Sequence, residues 1–578
     1  MENSGQMSKN TEIAKIFDQI ASMLSILDEN PFKIRAYKKA ALNILELNEE
    51  IEDRVSRDDV TDIPGVGKEL ANKIKEYVET GKIEEYHKIQ EKVPLEMTEL
   101  LGILGLGPKT LALLYKELNV RSLEDLEKVL DGDEVLNFKG LGQKKVDEIK
   151  RGIPLLKESR ERTHLGKALP LAESIKKEVE NIKGTEGTIV AGSIRRMRET
   201  IKDIDILTIS DNTEKTVKEF TKLPFVKEVL ASGSTKGSVI TNEGIQVDLR
   251  VVGPESYGGA LQYFSGSQAH NVKLRTIASK NGFRINEYGI FKGEEKVAGE
   301  TEKEMYGTLG LPLIPPELRE DRGEIEAASE GRLPDLIELS DIKGDLHMHT
   351  KWSDGKATIQ EMAEKAMELG YEYIAITDHS PSSTIANGLS IERLNEKRLE
   401  LREINKKIKG IHILMGSEVD IKTDGSLDYP DEVLKELDVV IASVHSGFKM
   451  DRDAITKRIL MALENPYVHA LGHPTGRLIN GREPYDVDID QLIEAALKHD
   501  KALEVNSSYL RLDLKDLHVR KAVDAGVKVI ISTDAHRTQQ LLQMRLGIGT
   551  ARRGWVQKKD VLNTLEFGAL NEWLKSKK

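Results

Sequence analysis

Three acids at two spacings are the first residues able to do chemistry. Asp203-Ile204-Asp205 lies in one apolar run, and Asp248 lies in another, Ile245 to Val252. Side chains alternate faces along a strand, so Asp203 and Asp205 point the same way, about 7 Å apart, while Ile204 faces a core. Two like charges held so repel, unless a divalent cation lies between them. With a third acid on a neighbouring strand, the set can hold two Mg2+ or Mn2+ ions for an in-line phosphoryl displacement. The elements that must position them are strands predicted at Thr188 to Ala191 and Ile204 to Ile209, with the stretch Gly192-Ser193-Ile194-Arg195-Arg196 between.

A second group of chemically capable residues begins at Gly344. There strand-like runs (Tyr373 to Thr377, Ile411 to Met415, Val439 to Ser443, Ala502 to Val505, Val527 to Ser532) alternate with helical ones such as Ile359 to Leu369 and Ile489 to His499. Such alternation predicts a parallel α/β barrel or sheet, whose sites form past the strand C-termini. His347, His349, Asp354, His379, Glu418, His445, His473, Asp534 and His536 fall at those ends. Imidazole and carboxylate donors without thiolate suit Zn2+, Mn2+ or Fe2+ in a multinuclear hydrolytic site. Nine donors exceed two four-coordinate ions, so three ions around a bridging Glu418 are expected. His412, His469, His499 and His518 fall off the pattern and read as structural.

Composition bounds the rest. At 578 residues the chain is too long for one core, and three or more domains are expected. The absence of cysteine excludes disulfides, thiolate metal sites and a Cys nucleophile, and fits a reducing cytoplasm. No apolar run approaches the length of a membrane span, and the polar start, Met1 to Asn10, shows no signal peptide. A net charge of −12 argues against a protein coated in nucleic acid, yet is compatible with a local basic groove beside acidic metal sites.

Residues 11 to about 60 read as helices, with Ile13, Ile16, Phe17 and Ile20 at helical spacing. After them comes a unit that occurs three times: Gly65-Val66-Gly67-Lys68, Gly105-Leu106-Gly107-Pro108-Lys109 and Gly140-Leu141-Gly142-Gln143-Lys144. Each opens an amphipathic helix. Glycine allows a tight turn and close backbone approach, and the free N–H groups of a helix start favour an anion. Such hairpins grip phosphates without reading bases. Further on, Tyr263-Phe264-Ser265-Gly266 precedes a helix with Asn271 and Arg275 on one face, which suits stacking and polar contact with a nucleotide. Glu317 to Asp341 is charged and Pro-punctuated, the composition of a linker.

Gly-Ser-x-Arg-Arg, Asp-x-Asp, the later strand Asp and Tyr-Phe-x-Gly-Ser together resemble the family X DNA polymerases over roughly residues 10–318. The resemblance implies that Asp203, Asp205 and Asp248 are palm metal ligands, and that Gly192, Ser193 and Arg196 bind the triphosphate. Tyr263, Phe264 and Gly266 would line the sugar, Asn271 would reach the minor-groove edge of the new base, and Arg275 the template side. The Gly-x-Gly units resemble helix-hairpin-helix motifs, with Gly65, Gly67, Lys68, Gly105, Gly107, Lys109, Gly140, Gly142 and Lys144 on DNA. Lys73 falls on the position of the family's Schiff-base lysine, and Lys33 on that of a phosphate-binding lysine. Lys202 stands where the family commonly has Gly. Gln246 stands where mammalian members carry an Arg that helps control the third Asp.

From His-x-His-Thr to Asp-x-His, the second half resembles the PHP (polymerase and histidinol phosphatase) family over roughly 342–578, which implies an irregular seven-stranded barrel with a trinuclear centre. Together the resemblances imply a multidomain fold: a helical lyase-like domain (1–88), fingers (89–160), an α+β nucleotidyltransferase palm (161–255), a thumb (256–318), a linker (319–341) and a distorted (β/α)7 PHP barrel (342–578). The expected activity is templated filling of short gaps in DNA, with PHP-dependent 3′→5′ exonuclease, AP-endonuclease or 3′-end processing, and possible lyase action. Expected partners are gapped or nicked duplex DNA, abasic-site DNA and dNTPs, with Mg2+ or Mn2+ in the palm and Zn2+ and/or Mn2+ in the PHP site. A monomer in the nucleoid-associated cytoplasm is expected, with no membrane. An untemplated nucleotidyltransferase fused to a phosphoesterase, and a DNA-binding scaffold with degenerate sites, are the alternatives.

Overall fold

The computed structural model describes residues 9–45, 50–63, 65–103, 106–132, 135, 136, 138, 141–160, 162–479 and 482–577. Gly105 and Gly140 lie outside them. The N-terminal helices Lys9–Ile26 and Pro31–Leu45 are separated at Asn30, whose side chain accepts from the Phe32 amide. Ile13, Phe17 and Ile20 lie fully in their core. The expected hairpin helices form as Lys68–Thr80, Pro108–Leu118 and Gln143–Arg160. Val66, Leu106 and Leu141 are buried beneath the turns, while Lys68, Lys109 and Lys144 are exposed.

The palm is a five-stranded sheet in the order Glu186–Val190, Asp203–Ile209, Gln246–Val252, Lys236–Thr241, Val226–Ser232. Its only parallel pair joins Asp203–Ile209 to Gln246–Val252, the two strands that carry the acids. Helices Tyr257–Ser265, Gln268–Lys280 and Glu302–Thr308 and a small antiparallel sheet, Arg284–Asn286, Gly289–Lys292 and Glu295–Ala298, follow.

The charged stretch after residue 317 corrects the linker expectation. Arg319 and Glu324 are fully buried, and Ile325, Ala328 and Leu336 belong to the thumb core. Paired charge permits this. Arg319 donates to Glu302, and Glu324 accepts at 2.6 Å from His270, which also contacts the Tyr306 hydroxyl. Hydrogen-bonded partners make burial of such groups tolerable, so a linker-like composition became core.

The C-terminal half is a seven-stranded parallel sheet in sequence order: Gly344–Asp345, Tyr373–Ile376, His412–Asp420, Val439–Ser443, Ala470–Leu471, Ala502–Asn506 and Val529–Ser532. A parallel bridge between Met348 and Ala535 brings its first and last edges together as a barrel. Sequence pattern missed Gly344–Asp345 and Ala470–Leu471, because two residues carry no periodicity.

The barrel is not hung loosely from the palm. Leu512 and Leu546 join the palm core beside Leu165 and Ile194. A β-carbon on Gly166 would lie 2.3 Å from that of Tyr509, so only glycine lets the two backbones approach there. Arg477 donates to Glu199 at 2.7 Å, and Arg545 pairs with Glu173.

Two candidate metal centres

Asp203 and Asp205 are half-buried on one face with Ile204 buried between them, as alternation requires. Asp205 is the register partner of Asp248 across the parallel ladder. Burial, then the carboxylates of Asp203 and Asp248, push Asp205 up to about 7. Asp203 is also raised, by burial and by Asp248. Asp248 behaves differently. Burial works to raise it, but Lys236 at 2.5 Å, Ser238 at 2.7 Å and Gln246 at 3.0 Å hold it below the usual carboxylate range. Gln246 and Lys236 thus brace the third acid. A donor set of three crowded carboxylates, two of them resisting ionisation, fits divalent cations.

The turn beside the acids is built around Gly192. It adopts φ +63°, and a β-carbon there would sit 2.0 Å from Asp205 Oδ2. The Ala191 amide donates to the Asp205 carbonyl at 2.8 Å, which locks the turn to the strand. Ser193 is half-buried in the short helix Gly192–Arg195.

In the barrel, all nine expected donors converge. Glu418 Oε2 lies 3.0 Å from His379 and 3.4 Å from both His347 and His349; Oε1 lies 2.8 Å from His473 and 3.1 Å from His445. One carboxylate therefore faces five imidazoles. Asp534 lies 3.1 Å from His349, and Asp354 lies 3.3 Å from His536. Three clusters have donor atoms within 4.8 Å of one another: His349, Asp354, His379 and His536; His347, His349, Glu418 and Asp534; and His379, Glu418 and His445. Such convergence within 4.8 Å is confined, among the described residues, to this half; the palm trio is looser, with Asp248 engaged by Lys236.

Nitrogens of His347, His349 and His379 are buried here with no hydrogen-bond partner. Buried polar groups are normally satisfied, and metal coordination is the simplest satisfaction open to these. For two of the imidazoles, His347 and His445, the opposite ring nitrogen is fixed by the protein. His347 Nδ1 pairs with Glu504 at 2.7 Å and His445 Nδ1 with Asp420 at 2.5 Å, which directs each Nε2 inward. Two of the expected donors, His473 and Asp534, have φ values of +28° and +52°, left-handed conformations that a non-glycine residue adopts at a cost.

Comparison with known proteins finds relatives of both halves of the chain. The model of the DNA polymerase beta thumb matches residues 260–320, helix-hairpin-helix models match 8–83 and 97–153, and the PHP domain model matches 345–508. A Bacillus subtilis protein named DNA polymerase/3′-5′ exonuclease PolX is 41% identical over 98% of this chain and 99% of its own. The chain belongs to the family X DNA polymerases with a PHP domain. A probable phosphatase of a Thermoanaerobacter species is 35% identical over 40% of this chain, covering 95% of that protein. Arabidopsis thaliana DNA polymerase lambda is 26% identical over 54% of this chain and 62% of its own length.

Within this family X frame, the nucleotide-side residues separate into two groups. Tyr263 and Phe264 meet edge-on at 5.1 Å, and Arg250 covers the Phe264 ring. Gly266 is required, because a β-carbon would meet Asn271 Oδ1 at 2.4 Å. Arg275 has a buried Nε with no hydrogen-bond partner. Asn271 and Arg196 differ from expectation. Asn271 donates to the Tyr263 carbonyl at 2.7 Å and accepts from Gln262, so its amide braces the turn rather than projecting toward a base. Arg196 donates to Glu320 at 3.0 Å and to the Ser265 carbonyl, so its guanidinium is held by protein groups.

The hairpins offer an open approach. A β-carbon on Gly67, Gly107 or Gly142 would touch nothing, so packing does not demand glycine there and the backbone faces outward. At Gly65, φ +85° and the stem of Lys39 do demand it. Lys33 and Lys73 both pair with Glu85 at 2.8 Å, and Lys73 also with Glu69 at 2.9 Å. Burial pulls Lys73 down, but the two carboxylates outweigh it and leave it raised, the wrong direction for an amine nucleophile.

Several side chains in contact with the expected donors carry no motif. Glu504, Asp420 and Lys236 look like ordinary strand or turn charges in sequence. Arg511, 3.7 Å from Asp534 and with a buried, unpaired Nη1, is another. His412, which stacks on Phe567, and His469, which accepts from the Val440 amide, are structural as expected.

Proposed function

We propose that the chain is a gap-filling DNA repair polymerase that also trims and cuts DNA ends. The single observation that carries this is the coexistence of two acidic centres: Asp205 in register with Asp248 beneath the Gly192 turn, and nine donors gathered about Glu418 and its neighbours. The hairpins hold duplex DNA by its phosphates, through outward amides and Lys68, Lys109 and Lys144. Mg2+ or Mn2+ held by Asp203, Asp205 and Asp248 would neutralise the triphosphate and acidify the primer 3′-hydroxyl. The Gly192-Ser193 turn cradles the triphosphate. Tyr263, Phe264 and Gly266 line the sugar and exclude a 2′-hydroxyl. Asp248 accepts the 3′-hydroxyl proton once Lys236 has left it.

In the PHP site, Zn2+ and/or Mn2+ held by the nine donors would polarise a phosphodiester and promote ionisation of water. Arg511 is placed to neutralise a phosphate oxygen. The resulting activities are 3′→5′ exonuclease and AP-endonuclease or 3′-end processing. The Bacillus subtilis relative, named DNA polymerase/3′-5′ exonuclease PolX, supports the exonuclease part. Lyase action is not expected, because Glu69 and Glu85 keep Lys73 charged.

The test is a pair of variants assayed on gapped and abasic DNA. Asp203→Ala with Asp205→Ala abolishes synthesis and spares hydrolysis; His349→Ala does the reverse. Loss of both activities from either change defeats the two-centre reading. Incorporation at a one-nucleotide gap that ignores the template base would favour the untemplated alternative.

A further inference from the structure

The nucleotide turn is held from behind by the other half of the chain. Helix Met544–Arg553 of the barrel presses on it: a β-carbon on Gly549 would meet the Met197 side chain at 2.5 Å. Met197 itself is left-handed, at φ +53°. Arg553 ends this helix, almost wholly buried. It donates to the Arg196 carbonyl at 2.9 Å, to Glu320 Oε1 at 2.9 Å and to Asp516 at 3.0 Å. The same Glu320 Oε1 accepts from Arg196 Nε at 3.0 Å. Two arginines, one from each half of the protein, therefore share one carboxylate oxygen.

This arrangement has a consequence for substrate. Resting on the assignment of Arg196 to the triphosphate, Glu320 is a built-in anion that occupies the arginine the nucleotide needs. A triphosphate must take Arg196 from Glu320. The released carboxylate is then buried, and a buried carboxylate without a partner is costly. Arg553 removes most of that cost, because it stays on Glu320 at 2.9 Å, where Arg198 reaches only to 3.8 Å, and is itself aimed by Asp516. Asp516 in turn is held by Arg322 at 2.8 Å, so the aim does not depend on Arg196.

We propose that Arg553 of the PHP domain is a positioning residue for the polymerase site: it holds Glu320 so that Arg196 can transfer to the incoming triphosphate. The PHP domain thereby sets nucleotide affinity without touching nucleotide. It also means that the two halves are coupled through a shared counter-ion rather than only by apolar contact.

The experiment uses the full-length chain with Arg553→Met, Arg553→Lys, Glu320→Gln and the Arg553→Met/Glu320→Gln double variant. Single-nucleotide incorporation is measured on gapped DNA over a range of dNTP concentrations. Hydrolysis of bis(p-nitrophenyl) phosphate reports the PHP centre in the same samples. The expected result is a KM for dNTP raised roughly fivefold or more in Arg553→Met, with kcat and hydrolysis little changed. Arg553→Lys, which keeps the charge, shows a smaller rise, and Glu320→Gln in the double variant brings KM back toward wild type. Should Arg553→Met fail to fold, the Lys variant carries the comparison. An unchanged KM, or a parallel fall in kcat and hydrolysis that Glu320→Gln does not relieve, overturns the inference. A wild-type chain that incorporates no nucleotide would instead overturn the polymerase reading on which it rests.

Discussion

Asp205 Oδ2 occupies the space that a β-carbon on residue 192 would need, 2.0 Å from where that atom would stand. The turn expected to cradle the triphosphate and the acid expected to hold a metal are thus one steric unit. Gly192→Ala cannot be accommodated by a small adjustment, because φ +63° also disfavours any β-carbon. Nucleotide incorporation by this variant falls by roughly a hundredfold or more, as expected for a misplaced reacting group. Retained hydrolysis at the PHP centre shows that the chain is folded. Near-normal incorporation would disprove the coupling.

Asp205 pays an electrostatic cost in the metal-free protein, since burial and two neighbouring carboxylates oppose its ionisation. Asp205→Asn removes that repulsion while removing a ligand. In chelator at neutral pH, the variant's unfolding midpoint rises by a few degrees, corresponding to about 1 kcal/mol. In excess Mg2+ the ranking narrows or reverses, because only the wild type gains the ion. A midpoint lowered in chelator would mean that Asp205 contributes favourable contacts that outweigh the repulsion.

Glu504 directs His347 through a 2.7 Å contact to Nδ1 and accepts from the His473 amide at 2.6 Å. Glu504→Gln weakens metal affinity of the PHP centre by roughly ten- to a hundredfold. Metal titration of hydrolysis reads this directly: activity is low at limiting ion and recovers in excess. Incorporation of dNTPs is unchanged. A loss that no excess of metal restores would place Glu504 in the chemical step instead.

Lys73 lies between Glu69 and Glu85, which keep it protonated. Borohydride treatment with abasic-site DNA is expected to trap no adduct at neutral pH. A trapped species that disappears in Lys73→Ala would reverse this assignment. Neutralising the carboxylates with Glu69→Gln and Glu85→Gln is the change that would bring trapping about.

What the chain shows before folding depends on how local the determinant is. The alternation at Asp203-Ile204-Asp205 and the polar residues past each barrel strand are local, and both centres could be read from them. Lys236, Arg511 and Arg553 act across the tertiary structure. Nothing within ten residues of Arg553 points to Glu320, more than two hundred positions away. The stretch around Arg319 was misread for the same reason. Its charges look solvated in one dimension and are satisfied in three, by Glu302 and His270. Asn271 and Arg196 were legible by type but not by orientation, because their partners lie on the turn before Gly266 and, for Arg196, also at Glu320, and only the fold brings these close.

Leu512 and Leu546, set among the palm's own apolar residues, bear on how such a protein could arise and be dissected. A polymerase half expressed alone would leave that core open to water and sticky toward other copies. The border visible in the amino-acid pattern is therefore a poor place to cut. Gene fragments ending there would sample aggregation before they sampled activity.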